Sequence, residues 1–346
     1  MAQNKHMSDL EKIWQKVQEK YEEANFLQSP EWQKMNELVG HKVIIEHFAD
    51  EAWCLMIVKD ARRGRYLEIP GGPLLNWEDD ALVRRMLALI RKVAVREKCV
   101  FVRIRPQLSR KKEFLLDDLG FKKAPMHLHA EHTVMLDLTK SEDELLAGMR
   151  RQTRYEVRRS EKLAIKVEKA NDQKIFKEFH SVQAETALRQ NFVPPDLKTL
   201  LAEREAFADQ AWIYRAKVSK KTLSDGKNPE AAVDDPIAYG LILISGREAD
   251  YFEAASTDLN RKLPGAYALQ WQVIKDLKQR GIERYNLWGV APSGQKRHRY
   301  AGVTTFKTGF GGEVVEFVPA QDLVIKPLRY GVDWVIEMIR KKRRHL

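Results

Sequence analysis

The stretch from Ala249 to Gly289, ADYFEAASTDLNRKLPGAYALQWQVIKDLKQRGIERYNLWG, decides the fold. ADYFEAAS reads as a strand, TDLNRKLPGA as a loop, YALQWQVIKDLKQRG as a helix stopped by Gly281, and IERYNLWG as the next strand. The same order occurs upstream. RYLEIPGG reads as a strand and turn, DDALVRRMLALIRKVAVREK as an amphipathic helix with apolar residues three and four apart, and CVFVRIRP as a buried strand. Strand, loop, helix, strand implies a parallel pair in each unit, with a ligand expected at the loop leaving the first strand's carboxyl end. The echo runs on: DDLGFKKAP followed by HTVMLDL answers FKTGFGGE followed by VVEFVPA. Element order therefore predicts an α/β chain with mixed sheets, built twice.

Composition bounds what such a chain can do. Its 346 residues favour two domains, and 44% of them are hydrophobic, enough for sizeable cores. Sixty Lys and Arg against 49 Asp and Glu give a formal charge of +11, which favours polyanionic partners: RNA, nucleotide diphosphates or an anionic lipid surface. The only cysteines, Cys54 and Cys99, sit in apolar runs and read as core residues in a reducing cytosol, with neither a disulfide nor a cysteine-based zinc site. The longest uninterrupted apolar segment, Ala52 to Val58, is far short of the roughly 20 residues that span a bilayer. The opening MAQNKHMSDLEKIWQKVQEKYEEA is a charged amphipathic helix pattern and not a secretory signal. A cytoplasmic location is expected.

The join between the halves falls near Thr139–Leu146, where Ser141 and Glu144 make a capping box for a new helix. That helix is expected to continue through AGMRRQTRYEVRRSEK, placing Arg150, Arg154 and Arg158 in one basic stripe, either a solvated face or a contact for RNA or lipid phosphate. Lys217 to Pro236 reads as an exposed hairpin or loop. In the last helix Val332, Val335, Ile336 and Ile339 share a face expected to pack onto a domain, and the basic end reads as a solvated tail or a contact for an anionic membrane. The resulting division is an N-terminal helix (1–25), a first domain (26–140 with 317–346) and a second domain (141–316).

Several catalytic signatures are missing: a Walker phosphate loop, HExxH, GxSxG and a motif pairing cysteine with histidine. RYAGVT, from Arg299, approximates the R/Q-x-x-G-x-G/A phosphate loop of acetyl-CoA-dependent acyltransferases, but Thr304 replaces the final small residue and a strand pattern follows it. His127, His129 and His132 have a spacing conceivable for metal ligands and common among surface histidines. VTTFKTGFGGE, Val303 to Glu313, reads as a strand with Phe306 and Phe310 on one face and Lys307 on the other. Gly309, Gly311 and Gly312 then let another backbone or a ligand approach closely. By itself that segment is also an edge-strand lysine followed by a hairpin.

Taken together, FLQSPEW (Phe26 to Trp32), MRRQTRYEVRRSEK, YFEAAS with GAYALQWQVIKDLKQRG, and above all FKTGFGGEV resemble the FemABX family of aminoacyl-tRNA-dependent peptidyltransferases, from about Phe26 to Tyr330. The resemblance implies two tandem GNAT-like domains whose C-terminal segment returns to the first. It implies transfer of an amino acid from aminoacyl-tRNA to an amine of a peptidoglycan precursor's stem peptide, carried on UDP-MurNAc or on its lipid-linked form. Aminolysis of an activated ester needs no metal and no cofactor; it needs substrate positioning, amine deprotonation and stabilisation of charge on the carbonyl and leaving ribose oxygens. It implies that Lys307 supplies a cation to the tRNA acceptor end or the oxyanion, held by Phe306. Lys34 and Arg189 resemble a basic pair that holds the precursor's diphosphate, and Tyr251 and Tyr267 resemble aromatics lining the second domain's groove. One departure stands out: Arg105 occupies a position before proline where members often carry an acid. The rival readings are a GNAT-like N-acyltransferase using acyl-CoA or acting on a protein N-terminus, and a non-catalytic RNA-binding protein. A monomer is expected.

Overall fold

The computed structural model describes residues 8–62, 64–126, 129–190, 192–223, 232–292, 294 and 300–344. The chain divides into two units, Met1–Glu131 with Glu316–Leu346, and His132–Val315.

The first unit opens with α1 (Asp9–Lys20), begun by a Ser8–Glu11 capping box, and α2 (Pro30–Leu38). A meander follows: β1 (Lys42–Phe48), β2 (Ala52–Ala61) and β3 (Gly64–Gly71), with the short β4 (Leu74–Leu75). Helix α3 (Asp80–Arg96), N-capped by Asp79, crosses to β5 (Phe101–Pro106), parallel to β3, and β6 (Phe121–Lys123) comes next. Leu82, Val83, Met86, Leu87, Ile90 and Val93 recur along α3 at three- and four-residue spacing. That stripe shares one core with Leu67 and Ile69 of β3 and Val102 and Ile104 of β5, the alternate residues of each strand.

The second unit runs through β7 (His132–Asp137), α4 (Glu142–Gly148), α5 (Arg151–Lys162), β8 (Lys166–Ala170), α6 (Gln173–Gln190) and α7 (Leu197–Phe207). It continues with β9 (Ala211–Lys217), α8 (Lys220–Leu223), β10 (Pro236–Ser245), β11 (Glu248–Ser256), α9 (Gly265–Gln279), β12 (Arg284–Gly289), α10 (Ala301–Thr308) and β13 (Glu313–Glu316). Its sheet has the order β13-β7-β12-β11-β10-β9-β8, with β11 and β12 parallel. The chain then returns to the first unit as β14 (Gln321–Val324) and α11 (Pro327–Arg344). There β14 pairs with both β5 and β6, giving the order β1-β2-β3-β5-β14-β6, with β4 on β2. The mixed sheets, the repeated strand–helix–strand unit and the returning C-terminal segment are as expected. Cys54 and Cys99 are buried and free.

Four local expectations are corrected. HTVMLDL, assigned to the first domain, forms β7 in the second unit's sheet, because its backbone pairs with β12. The helix begun by Ser141 stops at Gly148, and Arg150 starts a new one. The guanidinium of Arg154 folds back to donate to the carbonyls of Leu146 and Ala147 at 3.1 and 3.0 Å, closing α4 and breaking the expected stripe. Within Lys217–Pro236, Lys220–Leu223 is helical; residues 224–231 lie outside the described residues.

The fourth correction concerns α11. It faces the sheet with Tyr330, Asp333 and Glu337; of the expected face Ile336 is half-buried, while Val332, Val335 and Ile339, in one apolar stripe with Leu328, stay between 49% and 91% exposed. The polar face is drawn in by Arg103 of β5, which is buried. Arg103 meets both oxygens of Asp322 at 2.7 and 2.8 Å and Glu337 at 2.9 Å, and the Tyr330 hydroxyl donates to Asp322 at 3.1 Å. A buried cation with two acids holds the helix more specifically than an apolar stripe.

Candidate active site

The two parallel strand pairs end differently. In the first unit β3 and β5 stay paired to their last residues, from Leu67–Val102 to Gly71–Pro106. The FLQS segment is stitched to that end. Gln28 donates to Pro70 O at 2.7 Å and Leu55 O at 3.2 Å, accepts from Leu55 N at 2.8 Å, and Asn25 donates to Gly71 O at 3.0 Å. Gly71 and Gly72 are required here, since a Cβ on either would lie within 2.6 Å of Asn25 or Gln28.

In the second unit β11 and β12 pair only from Glu248–Arg284 to Asp250–Asn286, although β11 runs to Ser256 and β12 to Gly289. The strands then part. Trp288 takes a left-handed backbone (φ 62°), with its N–H donating to Asn286 Oδ1 at 2.9 Å. On β11 the register against β10 slips at Phe252, so Tyr251 pairs with Ile242 and Glu253 with Leu241. This bulge sends Tyr251 to the α9 side and Glu253 to the α6 side, where simple alternation would put both on one face.

Lys307 closes the gap. It lies on a helix, α10, and not on the strand expected from its β-branched neighbours Val303, Thr304 and Thr305. A contact from outside the helix overrides that propensity, Ala291 N donating to Thr304 Oγ1 at 2.8 Å, while the same hydroxyl bonds locally to Tyr300 O at 2.8 Å. From this helix the Lys307 Nζ reaches the last residue of β12, donating to Gly289 O at 3.0 Å, and stands 5.7 Å from the ring centre of Tyr251 on β11. Lys307 is 8% exposed, and burial pulls its ammonium down to about 7. Among the described residues Gly289 O is its one hydrogen-bond acceptor, which leaves two of its three donors for a ligand.

Phe306 packs edge-on against Tyr267 and Phe310, with ring centres 5.1 Å from each, and Tyr267 opens α9. The glycines serve backbone approach. A Cβ on Gly309 would strike Thr153 Oγ1 at 2.3 Å, one on Gly311 the Gly148 carbonyl at 2.9 Å, and one on Gly312 the Met135 carbonyl at 2.5 Å. The last two also have φ above +80°.

Lys307, Phe306, Tyr251 and Tyr267 are therefore brought together. Arg189 lies elsewhere, at the end of α6, donating to Thr186 Oγ1 at 3.2 Å and to Ser256 O, with Asp258 at 3.8 Å. Lys34 is exposed on α2 of the first unit. His129 is 4.0 Å from Glu68 and His132 begins β7; His127 and Arg299 lie outside the described residues. Ala301 to Thr304 of RYAGVT already form the start of α10, where a strand pattern was expected to follow the motif. No cluster of three His, Cys, Asp or Glu that would hold a metal ion occurs among the described residues.

One buried polar group was not read from the sequence. Gln183 of α6 donates to Glu253 at 2.6 Å, while Glu203 of α7 is buried with one carboxylate oxygen that has no hydrogen-bond partner among the described residues. Burial raises Glu253 to about 7. It also raises Glu203 well above its usual range, helped by the charge of Glu253. The bulge at Phe252, invisible to a period-of-two reading, brings Glu253 there.

The FemAB family model matches residues 11–115, 119–226 and 215–338. "Aminoacyltransferase FemA" of Staphylococcus aureus is 31% identical over 102 residues, which are 29% of this chain and 24% of that protein. The aligned part thus spans about a quarter of the curated relative. A crystal structure of FemX superposes with a TM-score of 0.81 at 16% identity, covering 95% of this chain and 98% of that one. A structure of L-PGS from Bacillus licheniformis gives 0.54 at 13% identity, covering 91% and 99%. At these identities the superpositions speak for the fold alone.

Proposed function

We propose, from the premise that this chain belongs to the FemAB family, that it is an aminoacyltransferase moving an amino acid from aminoacyl-tRNA to an amine of a peptidoglycan precursor's stem peptide. The observation that carries the reading is Lys307: a nearly buried ammonium fixed where β11 and β12 part, with two donors to spare. The acyl ester carbonyl is placed there. The acceptor amine attacks the carbonyl carbon, a C–N bond forms, and the negative charge collecting on the carbonyl oxygen is met by the Lys307 ammonium. The C–O bond to the ribose then breaks; the ribose oxygen takes a proton and the amine nitrogen loses one. Phe306, braced by Tyr267 and Phe310, sets the helix that carries the lysine, and Tyr251 forms the wall beneath it.

Lys34 and Arg189 are kept as proposed contacts for the precursor's phosphates, each to be tested by its own alanine variant against precursor affinity. Contact with an anionic membrane surface, which a lipid-linked acceptor would require, is proposed for α11. Its exposed stripe Leu328, Val332, Val335 and Ile339 is flanked by exposed Arg329 and Arg340, and its acids Asp333 and Glu337 are turned inward. Two such cationic faces would repel each other, which disfavours self-association through them. No helix among the described residues is long and apolar enough to cross a membrane.

The test is transfer of radiolabelled amino acids from a pool of charged tRNAs to UDP-MurNAc-pentapeptide and, separately, to its lipid-linked form, with and without RNase. RNase-sensitive labelling of either acceptor that is lost in Lys307→Met is the expected result. Labelling from acyl-CoA in place of tRNA, or none at all from intact charged tRNA, would refute the reading.

A further inference from the structure

Arg103 and Arg105 stand two residues apart on β5, so alternation points both away from the core that Val102 and Ile104 share with α3. Their surroundings differ sharply. Arg103 has acids on its guanidinium, whereas Arg105, only 1% exposed, has none at ion-pair distance among the described residues, and its Nε and one Nη find no hydrogen-bond acceptor among them. The ring of Phe317 lies 5.3 Å from its guanidinium carbon. Glu131 acts on it only through space, its carboxylate being engaged by Ala320 N at 3.2 Å. A guanidinium is protonated at physiological pH, so these donors cannot be silenced by losing the charge. Burying such an ion without a partner is among the costliest arrangements a fold can hold. Its place is informative as well: Arg105 is the penultimate residue of β5, opposite Pro70, at the carboxyl end of the parallel strands, where α/β sheets receive ligands.

We propose that Arg105 is a binding residue for a carboxylate of the acceptor substrate. The identity of the acceptor rests on the function proposed above; the need for an oxyanion rests on Arg105 itself. A carboxylate is favoured over a phosphate because the field of Glu131 already opposes part of the arginine's charge, leaving compensation for a monoanion and not for a diphosphate. The flat wall of Phe317 also suits a planar guanidinium–carboxylate pair.

Calorimetric binding to the full chain tests this, using UDP-MurNAc-peptides that differ by one carboxylate: diaminopimelic acid against lysine at the third residue, and a free against an amidated C-terminus. UDP is a separate probe. Deleting one of these carboxylates is expected to weaken binding to the native protein at least about tenfold, a loss that Arg105→Gln no longer shows. The first comparison uses unmutated protein, so it stands even if the variant fails to fold. Undiminished binding of both deleted peptides overturns the proposal. So does a loss that is the same in Arg105→Gln, or a variant that loses UDP affinity as well. The assay reads binding and not transfer, so the expected pattern without aminoacyl transfer would sink the proposed activity and spare this site. Transfer with carboxylate-independent binding would do the reverse. Failure of every peptide to bind overturns both.

Discussion

The Nζ of Lys307 donates to the carbonyl oxygen of Gly289 at 3.0 Å, joining the end of α10 to the last residue of β12 where that strand has parted from β11. Lys307→Met is expected to abolish most transfer, by about a hundredfold or more, the usual cost of losing one oxyanion contact. Because burial places the ammonium near 7, kcat/KM should also carry a limb that falls as pH rises through about 7. A limb rising there, with Lys307→Arg inactive at every pH, would assign the lysine a role as base and not as cation.

The same burial sets a stability signature of known sign. The folded lysine binds a proton less readily than the unfolded one, so between about pH 7 and its ordinary value near 10.5 the unfolded state holds more protons. Stability from this group therefore rises with pH, by roughly 1.4 kcal/mol per unit. Thermal melts should show Lys307→Met more stable than the native protein at pH 6–7, with the gap closing by pH 10. A gap independent of pH would mean that the ammonium is not desolvated.

Glu203 and Glu253 give the opposite slope. Their folded values are raised, so the native state holds extra protons above the ordinary carboxylate range, and stability falls as pH rises from about 4.5 through 7. Glu203→Gln removes one of the two charges without changing shape. Its melting temperature should exceed that of the native protein by several degrees at pH 8 and match it at pH 4.

Asp322 holds the returning C-terminal segment by both oxygens on Arg103 and by the Tyr330 hydroxyl. Asp322→Ala leaves a buried guanidinium with only the Glu337 contact and should cost about 3–5 kcal/mol in chemical denaturation. A loss below about 1 kcal/mol would show that water replaces the acid.

The exposed face of α11 predicts binding to vesicles containing phosphatidylglycerol and not to phosphatidylcholine alone, read by co-sedimentation. Val335→Glu with Ile339→Glu should remove it while leaving the melt unchanged, since both side chains are exposed. Equal binding of native and variant protein would reassign the attraction to charge alone.

The sequence by itself determined the repeated strand–helix–strand order, the Ser141 capping box, the buried cysteines and the setting of Lys307 among aromatics and glycines. Each is a local signal: a hydrophobic period, a three-residue capping spacing, or a cation set among aromatics and glycines. Only the tertiary structure decided that Val303 to Thr308 is a helix, because bonds to Ala291 and Gly289 outweigh β-branched propensity. It also decided that α11 turns its polar face inward, because Arg103 lies beneath it across more than 200 residues of chain. Register slips such as the one at Phe252 belong to the same class. They depend on which strand lies alongside, and that choice aims Glu253 away from Tyr251, where a period read along one chain carries no record of the neighbour.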